Sequence, residues 1–292
     1  MNKKIIKNIS LMTACLACRY YLPCTSEVSF MLIEAIPLTL RYTGPGTFVP
    51  EVEIKVDGHS KIFLLDTGAV SSSIANDVHV DSYPSMGERD SKAAAGIGKK
   101  GDIIEPDKIS VGSYSFRRSQ ITRCSPSLLG LDRLKEIVFQ IDLKSKTLNL
   151  LKHFPIKSTK HQLHRLSPGH MTVPLRLGKM SVDALFDTGA DTTVIDSQFI
   201  KSNKNLFELL RSEVGTDALG NKIPSEVYLC RSVQVGDLIV NDIEMAAFNF
   251  GDHLRKHMEG CPIILGNNVI SHARWTFDLT LNEWNCEVTS SN

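Results

Sequence analysis

At 292 residues the chain has room for one large domain or two of ordinary size, each able to bury a sizeable core. Its 42% hydrophobic and 22% charged residues are the proportions of a folded globular protein, which excludes a disordered or fibrous chain. A formal net charge of +1 sets up no general field toward nucleic acid or an anionic membrane, and no apolar run reaches the roughly 18 residues of a spanning helix.

In chain order, residues 1–24 read as a leader. A basic start (Met1-Asn2-Lys3-Lys4) precedes a short, mostly apolar stretch over residues 9–17, and small residues lead into Cys15 and Cys18. This outline of a secretory signal, or of a degenerate lipoprotein cleavage site, predicts an exported protein, periplasmic or anchored to a membrane as a lipoprotein. Lys7 shortens the apolar region and keeps a cytoplasmic location as the alternative. Of seven cysteines, Cys15, Cys18 and Cys24 crowd this region, while Cys124, Cys230, Cys261 and Cys286 are scattered; the latter four could pair, with the connectivity open.

Residues 25–151 follow as a first unit. Residues 27–40 suggest one or two strands ended by the turn Thr43-Gly44-Pro45-Gly46, so residues 24–47 are either a propeptide or strands added to this unit. Alternation over residues 49–55 predicts a half-exposed strand, and Asp57-Gly58 turns the chain back into Ile62-Phe63-Leu64-Leu65. That apolar run delivers Asp66-Thr67-Gly68-Ala69, a carboxylate on a tight glycine turn. A glycine-punctuated segment around Gly96, Ile97 and Gly98 suits a mobile hairpin tip. A strand ending at Gly112 comes next, then Leu128-Leu129-Gly130, a short helical turn over residues 131–135, and a strand pair over residues 137–151.

Residues 152–170 shift to Lys, His, Ser and Pro and read as a linker. Its histidines (His153, His161, His164, His170) have neither a helical pattern nor a nearby acidic ligand, so no metal site is expected.

Residues 171–292 then repeat the first unit. A hairpin leads into Asp187-Thr188-Gly189-Ala190, and Leu219-Gly220 matches the earlier glycine tip. Gly98 lies 32 residues after Asp66, and Gly220 lies 33 after Asp187. Gly236 answers to Gly112, Ile264-Leu265-Gly266 to Leu128-Leu129-Gly130, and Trp275-Thr276-Phe277-Asp278 to the closing strand from Val138. The second copy carries extra residues around 250–260. Landmarks recurring in one order predict a tandem duplication.

These residues resemble the retroviral-type (retropepsin-like) aspartic proteases, over residues 48–151 and 171–288. The resemblance implies a mostly β fold of two small, closed, barrel-like lobes in one chain, with Asp66 and Asp187 meeting between them as catalytic residues. It implies that Thr67 and Thr188 hydrogen-bond across to the opposite turn, and that Gly68 and Gly189 allow close approach and support the carboxylates. The hairpins at Gly96, Ile97, Gly98 and at Leu219, Gly220 become flaps over an extended peptide. Neither tip carries the Tyr that pepsin-like relatives use, and Val70 stands where the second copy has Asp191.

The chemistry expected is endopeptidase hydrolysis. Two adjacent carboxylates share one proton; the ionised member activates a water and the protonated one donates to the scissile carbonyl. No metal or organic cofactor is called for. The partner is a peptide or protein substrate, not nucleic acid, and the lobes pair in cis in a monomer. The rival readings are a non-catalytic peptide-binding module of the same fold, and lobes that pair between chains.

Overall fold

The computed structural model describes residues 31–92, 98–155, 158–216 and 220–289, and the leader lies outside these. The described chain is mostly β, arranged in a fifteen-stranded and an eight-stranded sheet. None of its helices is long and apolar enough to cross a membrane.

Alternation does most of the local work. In the strand His59–Leu65, Phe63 and Leu65 point into the core while Ile62 is exposed, the period-2 pattern of a sheet with one dry face. This strand hairpins onto Thr47–Val56 in the register Glu51↔Leu64. In the second half His170–Leu177 pairs with Met180–Phe186 in the register Thr172↔Leu185. The boundary expected at residue 170 therefore shifts, because His170 already belongs to a strand and the stretch before it holds the short strands His161–Gln162 and His164–Leu166.

Beyond each hairpin the same pairings recur. Leu128–Leu129 runs parallel to Leu64–Leu65 and antiparallel to Ser73–Ile74, which is itself parallel to Ile121–Arg123. Ile263–Leu265 runs parallel to the end of Met180–Phe186 and antiparallel to Val194–Asp196, itself parallel to Leu238–Phe248. Pairing of Leu175–Leu177 with Val233–Val235 closes part of the eight-stranded sheet into a ring.

The halves join through the hairpins Val138–Asp142/Thr147–Leu151 and Ala273–Asp278/Glu283–Val288. Their inner strands pair antiparallel, with Gln140 opposite Thr276 and their side chains hydrogen-bonded at 2.9 Å. The strand Leu32–Gly44 extends this joint: its first part pairs with Thr147–Leu151 and its second with Thr47–Val56, so it adds strand to the first half. One contiguous apolar cluster runs from Ile36 to Cys286 and includes Phe139, Phe186, Trp275, Phe277 and Trp284. Cys124, Cys230, Cys261 and Cys286 sit buried as free thiols, so the pairing open to them is not made.

Phe277 stacks on Phe139 at 5.4 Å and meets Phe186 edge-on at 4.8 Å, fully buried where the two halves meet. Phe277→Ala is expected to cost about 3–5 kcal/mol of unfolding free energy, measured as a lowered urea midpoint. A wild-type midpoint would mean that the joint does not carry the fold.

Candidate active site

Each Asp is set by its strand and by the short parallel partner beside it. Asp66 N–H donates to Leu129 O at 3.0 Å and Asp187 N–H to Leu265 O at 3.1 Å, so both carboxylates leave their strands at the same point of the pairing. Their turns face one another. Thr67 N–H donates to Thr188 Oγ1 at 3.1 Å and Thr188 N–H to Thr67 Oγ1 at 3.0 Å. The hydroxyls then reach into the opposite strands, Thr67 to Phe186 O at 2.9 Å and Thr188 to Leu65 O at 2.6 Å. Both threonines are fully buried, so these bonds replace water for groups that have no other access to it.

This reciprocal clasp brings Asp66 and Asp187 into direct contact, with Asp66 buried and Asp187 half-buried. A Cβ built on Gly68 would fall 2.6 Å from Asp187 Oδ1, and one on Gly189 would fall 2.7 Å from Asp66 Cγ, so only glycine lets the turns come this close. Gly189 N–H donates to Asp187 Oδ1 at 2.7 Å. Burial, then repulsion from Asp187, holds the Asp66 carboxyl well above the usual carboxylate range. Burial also raises Asp187, opposed by the N–H of Gly189 and by its hydrogen bond with Asp66. Both carboxyls are thus held above the ordinary carboxylate range as one coupled pair that shares a proton.

A second layer went unread in the sequence. Ser72 accepts from Gly130 N–H at 3.0 Å while its own N–H and hydroxyl donate to Asp132 Oδ1 at 2.9 and 2.6 Å. Thr193 accepts from Gly266 N–H at 3.1 Å while its N–H and hydroxyl donate to Asn268 Oδ1 at 2.8 and 2.7 Å. The signal was available, since both hydroxyl residues lie six after their Asp and both acceptors two after their Gly.

The two sides of the site differ. Residues 250–260, read as extra, form the helix Gly251–His257, held by Arg255 to the Asp196 carboxylate at 2.7 and 3.0 Å. Phe250, Met258 and Cys261 pack with Leu185 and Ile264, against Ala190 of the second turn. Asp191 accepts a hydrogen bond at 2.5 Å from Thr43, at the end of the Leu32–Gly44 strand, whereas Val70 in the first turn lies against Gly169.

Of the expected flap residues, Gly96, Ile97 and Leu219 lie outside the described residues. Gly98 and Gly220 are exposed at the ends of the hairpins Glu88–Lys92/Gly98–Ile104 and Phe207–Thr216/Lys222–Val235. In the former linker, His161 stacks on Trp284 at 4.6 Å and His164 stands 3.7 Å from Asp183. Among the described residues no three His, Cys, Asp or Glu side chains gather as metal ligands.

Residues 173–269 match the family model described as aspartyl protease, a span that holds Asp187 and Gly266. The match supports an aspartic-protease-type hydrolase. No curated protein matches the chain.

Two expectations follow. Thr188→Val keeps the shape but strips partners from buried Thr67 N–H and Leu65 C=O; at roughly 1–3 kcal/mol for each group, urea denaturation should show a marked loss that Thr188→Ser largely avoids. Equal stability of all three chains would exclude the clasp as a fold constraint. Secondly, a raised folded pKa contributes stability below the unfolded value of 3.8 that is lost as pH rises through the folded one. Asp66→Asn should therefore be more stable than wild type at neutral pH, the gap shrinking toward pH 4, as read by denaturation at both pH values; a gap widening on acidification would reverse the assignment.

Proposed function

We propose that the chain is an aspartic endopeptidase in which a water held between Asp66 and Asp187 attacks the scissile peptide carbonyl. Asp187, the less buried of the two, takes the proton from the water as general base. Asp66, which keeps its proton through burial and the neighbouring charge, donates to the carbonyl oxygen. The tetrahedral diol then collapses: Asp187 returns its proton to the leaving nitrogen, the C–N bond breaks, a diol hydroxyl gives its proton back to Asp66, and no covalent enzyme intermediate forms.

The observation that carries this reading is the reciprocal Thr67–Thr188 hydrogen bonding, because it sets two like turns and their carboxylates face to face. On the same reading the halves are the two retropepsin-like lobes of a tandem duplication, paired in cis within a monomer, with Thr67, Gly68, Thr188 and Gly189 in support. The hairpins carrying Gly98 and Gly220 act as flaps over an extended peptide or protein substrate. The basic, then apolar N-terminal residues fit export to the periplasm or attachment as a lipoprotein.

The test is turnover of a mixed peptide library between about pH 3 and 7, the window of a shared-proton carboxylate pair. Wild type should cleave and a statine-type inhibitor should stop it, while Asp66→Asn and Asp187→Asn should each lose about 10²–10⁴-fold in rate. Folded wild type that binds peptides but leaves them intact across the window would make the protein a non-catalytic peptide binder.

A further inference from the structure

Alternation along the strands decides which side chains stand beside each carboxylate. Leu64 and Asp66 lie two apart on one extended run and share a face, opposite Phe63 and Leu65 in the core. The register Leu128↔Leu64 sets Leu128 next to Leu64 on that face. In the second half Leu185 shares its face with Asp187, and the register Leu185↔Ile264 sets Ile264 beside it. An apolar pair therefore flanks each carboxylate on the face that carries it.

The two pairs have different surroundings. Leu185 and Ile264 are 5% and 7% exposed, packed with Phe250, Met258 and Cys261 in a cluster separate from the main core. Leu64 and Leu128 are half-buried and belong to neither apolar cluster. Chain length accounts for the difference. The first half passes from Arg123 to Leu128 through residues 124–127, and the second from Phe248 to Ile263 through residues 249–262. The longer passage folds into the helix Gly251–His257 and the turn after it. Three contacts pin it in place. Arg255 holds the Asp196 carboxylate at 2.7 and 3.0 Å, Glu259 accepts from Ser167 N–H at 2.8 Å, and the Cys261 thiol donates to Asp183 O on the strand that leads to Asp187.

We propose that this helix and the turn after it make side-chain selection unequal on the two sides of the scissile bond. The half with Asp66 offers Leu64 and Leu128 to a large apolar side chain, whereas the half with Asp187 has its apolar pair already covered and takes a small one. The inference deepens the peptidase reading and rests on it, since an extended peptide laid across both carboxylates brings one flanking side chain to each half. A large apolar side chain set on Leu64 and Leu128 removes apolar surface from water on both partners. The same side chain on the other side meets Phe250 and Met258 already in place, and a close-packed cluster admits extra volume only by moving. The preferred substrate is thus a peptide with a large apolar residue on one side of the cleaved bond and a small residue on the other.

The experiment is kcat/KM of wild type, Met258→Ala and Leu128→Phe on peptides varied at the two residues flanking the scissile bond. Wild type should accept large apolar residues on one side and small ones on the other. Met258→Ala should raise kcat/KM about tenfold for peptides with a large residue on the restricted side. Leu128→Phe should lower it about tenfold for those with a large residue on the permissive side. Equal preference on both sides in wild type, or variants that change every peptide alike, overturns the inference. A second readout needs no turnover: methyl NMR of the Asp187→Asn chain titrated with a capped alanine peptide bearing one central phenylalanine. The Leu64 and Leu128 methyls should shift while those of Leu185 stay, and adding Met258→Ala should bring Leu185 into the response. Equal shifts of both pairs, or none, also overturn it. Wild type that leaves every peptide intact, beside the unequal methyl shifts, would sink the peptidase reading and leave the asymmetry standing.

Discussion

Everything about the site depends on the mutual hydrogen bonding of Thr67 and Thr188. Each turn buries a backbone N–H that its own half cannot satisfy, and the partner is a hydroxyl from the other half. Leaving such groups unpaired costs more than the bonds themselves contribute, so the turns stay together more because separation is expensive than because contact is strongly attractive. The clasp also fixes what the carboxylates experience. It presses them together with glycine as the only residue that leaves room, and burial, then the neighbouring Asp187, raises the affinity of Asp66 for its proton.

The clasp could not hold alone, since two hydroxyl pairs do not order two large bodies. The larger constraint is the joint sheet, in which strands from both halves pair around Gln140 and Thr276 over the aromatic cluster of Phe139, Phe186, Trp275 and Phe277. A displacement of one half relative to the other would break sheet hydrogen bonds and open the aromatic packing before it separated the carboxylates. Burial thus supplies the stability and the threonines supply the register, a division expected where a polar network sits inside an apolar frame.

Much of this was legible in the sequence because local rules and global fold agree there. Strands ending at Asp66 and Asp187 read from their apolar runs, and the turns read from Asp-Thr-Gly-Ala. The first hairpin of the joint read as a strand pair over residues 137–151, and the second only as its matching strand from Trp275. What stayed hidden has its partner far away in the chain. Thr43 and Asp191 are 148 residues apart, and nothing near either announces the bond. His170 sits in a polar stretch that composition marks as linker, yet it opens the strand His170–Leu177, whose partner lies further along the chain. The helix at Gly251–His257 was visible only as surplus length, since its apolar partners Leu185 and Ile264 belong to other strands. The glycine-punctuated segments around Gly98 and Gly220 lie at hairpin ends as expected, while Gly96, Ile97 and Leu219 lie outside the described residues.

A single chain that carries both turns has a freedom that two identical chains lack. In a symmetric pair, any residue set against one turn is set against the other as well, so the two carboxylates start equivalent and only the ligand can distinguish them. Here the turn exits differ: Asp191 meets Thr43 in the second, whereas Val70 lies against Gly169 in the first. Each change leaves the threonine clasp untouched, because it acts on the flanks of the turns and not on the hydroxyls between them. The shared geometry of the clasp and the differences around it are therefore compatible: the first holds the two carboxyl groups together, and the second gives each turn its own surroundings.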